Sequence, residues 1–73
     1  LLLAQVMRSL PPEYVELLEE KYLDGLAVRQ MANKRSQTEK SIESALSRAR
    51  DMLRRTFQRL RAQEEIFDED LRL

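Results

Sequence analysis

The chain has 73 residues, with 13 basic and 13 acidic side chains and neither cysteine nor histidine. That length fits one small domain with a thin stability margin, and the missing residue types exclude a disulfide framework and a thiolate zinc site and remove the commonest general base and metal ligand. The longest apolar run, Leu1 to Ala4, is far too short to span a bilayer and has no basic residues before it, as a secretory leader would. No membrane, no cofactor and no small-molecule substrate is therefore expected, and a reduced, cytoplasmic setting fits. The chain starts at Leu1 rather than Met, as a fragment of a longer protein would.

The zero net charge hides three blocks. Residues 1–33 carry three basic and five acidic side chains, residues 34–61 nine and three, and residues 62–73 one and five. A basic block thus lies between two acidic ones, and a local block creates a local potential whatever the bulk charge. By itself such a run also fits a solvated, salt-bridged helix face.

No stretch alternates with period two, so the chain reads as all-α with short turns. A first helix is expected over about 2–9, with Leu3, Val6, Met7 and Leu10 at helical spacing. Pro11-Pro12 ends it, because the residue before a proline avoids the α region. Pro12 then opens a second helix over 12–23, where its missing N–H costs nothing. Glu13 and Glu16 suit the positive end of that helix. Tyr14, Leu17, Leu18 and Tyr22 form its apolar face, and Gly25 closes it as a left-handed cap. A short third helix covers about 27–33, with Val28, Met31 and Ala32 inward.

The segment Lys34 to Thr38 breaks the apolar pattern and holds two helix N-caps. Ser36 with Glu39 makes a capping box; Thr38 with Ser41 is the weaker chemical pair. A long helix follows over about 38–63. Its apolar residues Ile42, Leu46, Ala49, Leu53, Phe57 and Leu60 recur at gaps of 4, 3, 4, 4 and 3, one continuous stripe. The expected organisation is one domain over 1–63 and an acidic tail over 64–73, which extends the helix, docks back or frays.

Two helices joined by about four residues, from Leu26 to Arg50, have the dimensions of a helix-turn-helix. In that unit the second helix lies in the major groove and its first residues approach base edges. At this point the residues resemble a family. "LPPEYVELLEEKYLDGLAVRQMA" followed by "SALSRARDMLRR" resembles region 4 of bacterial RNA polymerase sigma factors, nearest the extracytoplasmic-function type. The matching elements are Leu10 to Glu13, Tyr22 to Leu26, Met31-Ala32, and Ser41 to Arg50, in order and at the family's spacing over roughly 5–60.

The resemblance implies a small four-helix domain with a C-terminal helix-turn-helix and a long last helix. It implies recognition of the −35 element of double-stranded promoter DNA, direction of RNA polymerase to it, contact with the β flap of the polymerase core, and masking by an anti-sigma factor. Region 2, needed for the −10 element, is absent and expected upstream.

The chain departs from the family at the turn and inside the recognition helix. The usual Leu-Gly-Ile-Ser turn is Arg35, Ser36, Gln37 and Thr38 here, so two apolar anchors and a glycine are gone. Ser36 then has to adopt a positive φ. The usual Lys and Arg within the helix are Glu43 and Ala45, which weakens phosphate attraction. Glu43 either accepts from a cytosine amino group or simply opposes binding. Thr38, Lys40, Ser44 and Arg48 are assigned to the groove or its edges. Arg29, Lys34 and Arg35 are assigned to phosphates, which position without specifying. Arg54, Arg55, Arg59 and Arg61 read as a solvated face paired with the acidic tail, or as a surface on which the tail competes with DNA.

A second reading makes the unit a degenerate helix-turn-helix used for docking to the flap, to an anti-sigma factor or to itself, since the stripe on the last helix admits a helical partner. Enzymatic chemistry is not expected. Adjacent carboxylates such as Glu19-Glu20 and Asp68 to Asp70 sit at exposed helix and tail positions, without a pocket in which to converge.

Overall fold

A computed structural model describes residues 2–71, with side chains over 4–62. It contains four helices: α1 (Leu2–Ser9), α2 (Pro12–Tyr22), α3 (Val28–Arg35) and α4 (Glu39–Leu71). No described helix is long and apolar enough to cross a membrane. The first three helices form a cradle, and each packs on α4.

The breaks fall where backbone chemistry requires them. Pro11 is extended, with φ −56° and ψ 140°, and Pro12 starts α2. At the end of α2 the chain reverses at Gly25, whose φ of 72° is costly for any residue with a Cβ. The Leu23 and Asp24 N–H groups both close on the Glu19 carbonyl. α3 begins one residue later than expected, because Ala27 is extended and its N–H donates to Gln30 Oε1 at 2.8 Å. It also runs two residues longer, through Lys34 and Arg35, which are good helix formers with a buried partner described below.

The core has two adjoining parts. One joins Leu17, Met31, Ala32, Ile42 and Leu46; the other joins Leu10, Leu18 and Ala49. Val6 is fully buried as well. The expected inward residues of α1 to α3 are thus largely inward, with Leu3 outside the described side chains. Tyr22 is the exception: it is 56% exposed. Among the described residues two polar ones are buried instead, Glu20 and Thr56.

α4 has 33 residues and spans about 50 Å at 1.5 Å per residue. It runs past the expected end near residue 63, because "EEIFDEDL" contains no breaker. The side chains of this acidic segment lie outside the described residues.

Candidate nucleic-acid interface

The joint between α3 and α4 is three residues long, Ser36 to Thr38. Ser36 takes the left-handed conformation, φ 53° and ψ 43°. Around it the Gln37 N–H donates to the Ala32 carbonyl at 2.9 Å and the Ser36 N–H to the Asn33 carbonyl at 3.3 Å. This pair of bonds is a Schellman ending, normally built on glycine. Ser36 therefore ends α3 rather than capping α4, and the capping box with Glu39 does not form. Thr38 is the cap: its Oγ1 accepts from the Ser41 N–H at 3.0 Å. Ala32, buried at the crossing with Ile42 and Leu46, lets the two helices approach. The result is a helix-turn-helix with α4 as its second helix.

The turn is braced by a buried ion cluster. Glu20 on α2 is only 4% exposed. Arg35 grips its carboxylate with both ends of the guanidinium, Nη1 to Oε1 at 2.7 Å and Nη2 to Oε2 at 3.0 Å. Lys34 Nζ donates to Oε2 at 2.9 Å. Glu16 lies 3.4 Å from Arg35 on the outer side. The Arg35 hydrogen bonds, opposed by burial and helped by Lys34, hold the Glu20 carboxyl down at about 2. The same contact with Glu20 raises Arg35 above its ordinary value. A carboxylate held this way stays ionised and serves the fold, not acid–base chemistry.

The assigned DNA residues therefore fall into two sets. Lys40, Ser44 and Arg48 come together on the exposed side of the first turns of α4, beside Glu43 and Ser47. Among the described residues Lys40 and Arg48 have no acidic partner. Thr38 stands at the head of this face with its hydroxyl oxygen engaged as the cap. Arg29 is exposed on α3 and likewise without an acidic partner among the described residues. Lys34 and Arg35 are turned toward Glu20. Lys34 remains 57% exposed at its side chain, whereas Arg35 is down to 20%.

Of the two departures inside the helix, only Glu43 is on the open face. Ala45 is half-buried and packs against the core part that holds Leu17, Met31, Ala32, Ile42 and Leu46. Further along α4, Arg50 donates to the Tyr22 hydroxyl at 3.1 Å. Arg54 and Arg55 both bind Asp51 one turn back. Two of the four distal arginines are thus satisfied within the helix, without the acidic segment.

Glu20 is the site residue that sequence reasoning missed. The available signal was compensation: Arg35 stands where the resemblance expects an apolar anchor, with the cation Lys34 beside it. A cation placed at an apolar-anchor position needs an acid opposite, and Glu20 continues the inward face of α2 three residues beyond Leu17.

Comparison with known proteins gives one finding. A family model described as sigma-70, region 4 matches residues 1–53, which contain α1 to α3 and the first turns of α4. Neither the curated proteins nor the solved structures include a match. The matched span covers more than half of the chain, with the turn and the residues of α4 that follow it, so the chain belongs to the sigma-70 region 4 family.

Proposed function

We propose that this chain is the promoter-recognition module of a sigma factor, reading the −35 element through the first turns of α4. Region 4 has that role in sigma factors. The observation that supports it here is the open face of Lys40, Ser44 and Arg48, whose two cations meet no acid among the described residues. Ser44 offers a donor and an acceptor to base edges, and the cations flank it. Arg29 and Lys34 supply phosphate contacts from the supporting helix. Arg35 acts one step back, fixing the angle of the turn through Glu20. The polymerase β flap and an anti-sigma factor of the extracytoplasmic-function system are the protein partners that go with this reading.

The test is titration of a labelled −35-type duplex at several salt concentrations. Affinity should fall steeply with salt, and Lys40→Ala and Arg48→Ala should each reduce the logarithmic slope by about one. Unchanged binding in both variants refutes the assignment.

A further inference from the structure

Arg50 and Tyr22 form a pair that the DNA face described above does not include. Arg50 Nη1 donates to the Tyr22 hydroxyl at 3.1 Å, from α4 to the last residue of α2. Both side chains are exposed, Tyr22 to 56%. Arg54 and Arg55, about one turn further along, are engaged by Asp51. Arg50 meets no acid among the described residues. Tying a cation to a neutral hydroxyl fixes its place without cancelling its charge. The hydroxyl also keeps its own proton, because it is the acceptor in this bond. Two donors, one charged and one neutral, therefore end side by side in the open.

The helix register sets Arg50 beside the base-facing residues rather than among them. Arg50 lies about 80° round α4 from Lys40 and about 120° from Ser44, and its bond to Tyr22 puts it on the side toward α2. It stands about 9 Å along the axis beyond Ser44. A helix about 10–12 Å across fills a major groove about 12 Å wide, so its flanks meet phosphate strands and not base edges. Glu43 shares this flank two turns earlier. Arg50 is therefore where the flank first becomes attractive to phosphate.

We propose that the Arg50 guanidinium and the Tyr22 hydroxyl together bind one phosphate of the duplex backbone, on the strand that passes beside α2. Arg50 supplies the charge, and Tyr22 holds it in place and donates a second hydrogen bond. Such contacts carry no sequence information; they fix how α4 sits in the groove and thereby which base edges Lys40, Ser44 and Arg48 meet. The proposal rests on the promoter-recognition reading and adds a contact to it.

Titration of a −35-type duplex over several salt concentrations tests it, with thermal unfolding as the check on folding. Arg50→Ala should weaken binding about five- to tenfold at low salt and reduce the logarithmic slope by about one. Arg50→Gln, which can still donate to Tyr22, should lose the same slope with the fold intact. Tyr22→Phe keeps the ring and the cation, so it should weaken binding about threefold at an unchanged slope. The two losses should not multiply in Tyr22→Phe with Arg50→Ala, because they concern one phosphate. Duplexes carrying a single neutral methylphosphonate locate the contact. At one position on one strand the substitution should weaken binding by the wild type and by Tyr22→Phe, and leave Arg50→Ala indifferent. If Arg50→Ala and Arg50→Gln keep the full slope while Lys40→Ala and Arg48→Ala lose it, the pair is only a bracket within the fold: the proposal falls and the promoter reading stands. Losses that multiply in the double variant refute the shared site. A wild type that binds no duplex overturns both readings together.

Discussion

Arg35 holds the buried carboxylate of Glu20 with two hydrogen bonds, at 2.7 and 3.0 Å. It stands where the resemblance expects a leucine. A buried ion pair has thus taken over the task of an apolar contact between α2 and the turn. The two solutions differ in how they fail. Apolar contacts weaken gradually as atoms are removed, whereas a buried pair that loses one partner leaves a charge without compensation. Arg35→Ala should therefore destabilise the chain by about 2–3 kcal/mol, short of a fully buried pair because Lys34 still reaches Glu20. The double change Glu20→Leu with Arg35→Leu should come within about 1 kcal/mol of the wild type or exceed it. Urea unfolding of both variants measures this; a double variant less stable than Arg35→Ala contradicts the account.

The same pair makes stability depend on pH in a definite window. The Glu20 carboxyl titrates near 2 in the folded chain, against an ordinary value of 4.5. Between those values the unfolded chain binds the extra proton, so stability rises with pH. The contribution is complete above pH 4.5 and lost as pH falls through about 2. Its size is on the order of 3 kcal/mol. Urea midpoints between pH 7 and 2 should show this loss in the wild type and a flatter curve in Glu20→Gln. Parallel curves would mean that other carboxylates carry the acid sensitivity.

Ser36 offers a gain. Its φ of 53° is strained for a residue with a Cβ and free for glycine. Ser36→Gly should stabilise the chain by about 0.5–1 kcal/mol, the relief of strain exceeding the added freedom of the unfolded chain. That corresponds to a rise of roughly 4 °C in Tm for a domain of this size. Ser36→Val, β-branched and worse in this region, should move Tm the other way.

The opposite case is Thr38, where the side chain is needed. Thr38→Ala removes the acceptor for the Ser41 N–H and should cost about 1 kcal/mol, with Thr38→Asp restoring most of it. Thermal unfolding of the three proteins reads the order directly. A Ser36→Ala change that cost more than Thr38→Ala would point back to the alternative cap.

How far these features were legible depended on whether the cause was local. Proline, glycine and the stripe from Ile42 to Ala49 specify helix ends and core faces through neighbouring residues alone, and the observed helices follow them. Ser36 was legible from a single missing glycine. Glu20 was not, because its burial depends on two cations 14 and 15 residues away, and a glutamate among Glu16, Glu19 and Glu20 looks like solvated surface. Tyr22 failed for the converse reason: its aromatic ring fits an apolar stripe, but the helix ends there and its hydroxyl meets Arg50 across the turn. Within the assigned DNA face, periodicity grouped Lys40, Ser44 and Arg48, while the engagement of Lys34 and Arg35 required the tertiary partner.

That division yields the last prediction. If α4 reads the groove, cations on its open face should matter more to DNA than cations committed to Glu20. Lys40→Ala and Arg48→Ala should each weaken duplex binding by roughly five- to tenfold at low salt, and the effect should shrink as salt rises. Lys34→Ala should weaken it less, since that ammonium is already bonded to the buried Glu20 carboxylate. Glu43 has the opposite sign. It is exposed, has no basic partner among the described residues, and shares its face with Lys40 and Ser44. Glu43→Lys should tighten binding to every duplex by about tenfold through one lost repulsion and one gained phosphate contact. A base-reading role is recognised by a different outcome: Glu43→Ala would then lose preference for cytosine at one position while total affinity rises. Competition titrations with duplexes varied at single positions separate the two, and binding that ignores all five substitutions would place the DNA contact elsewhere.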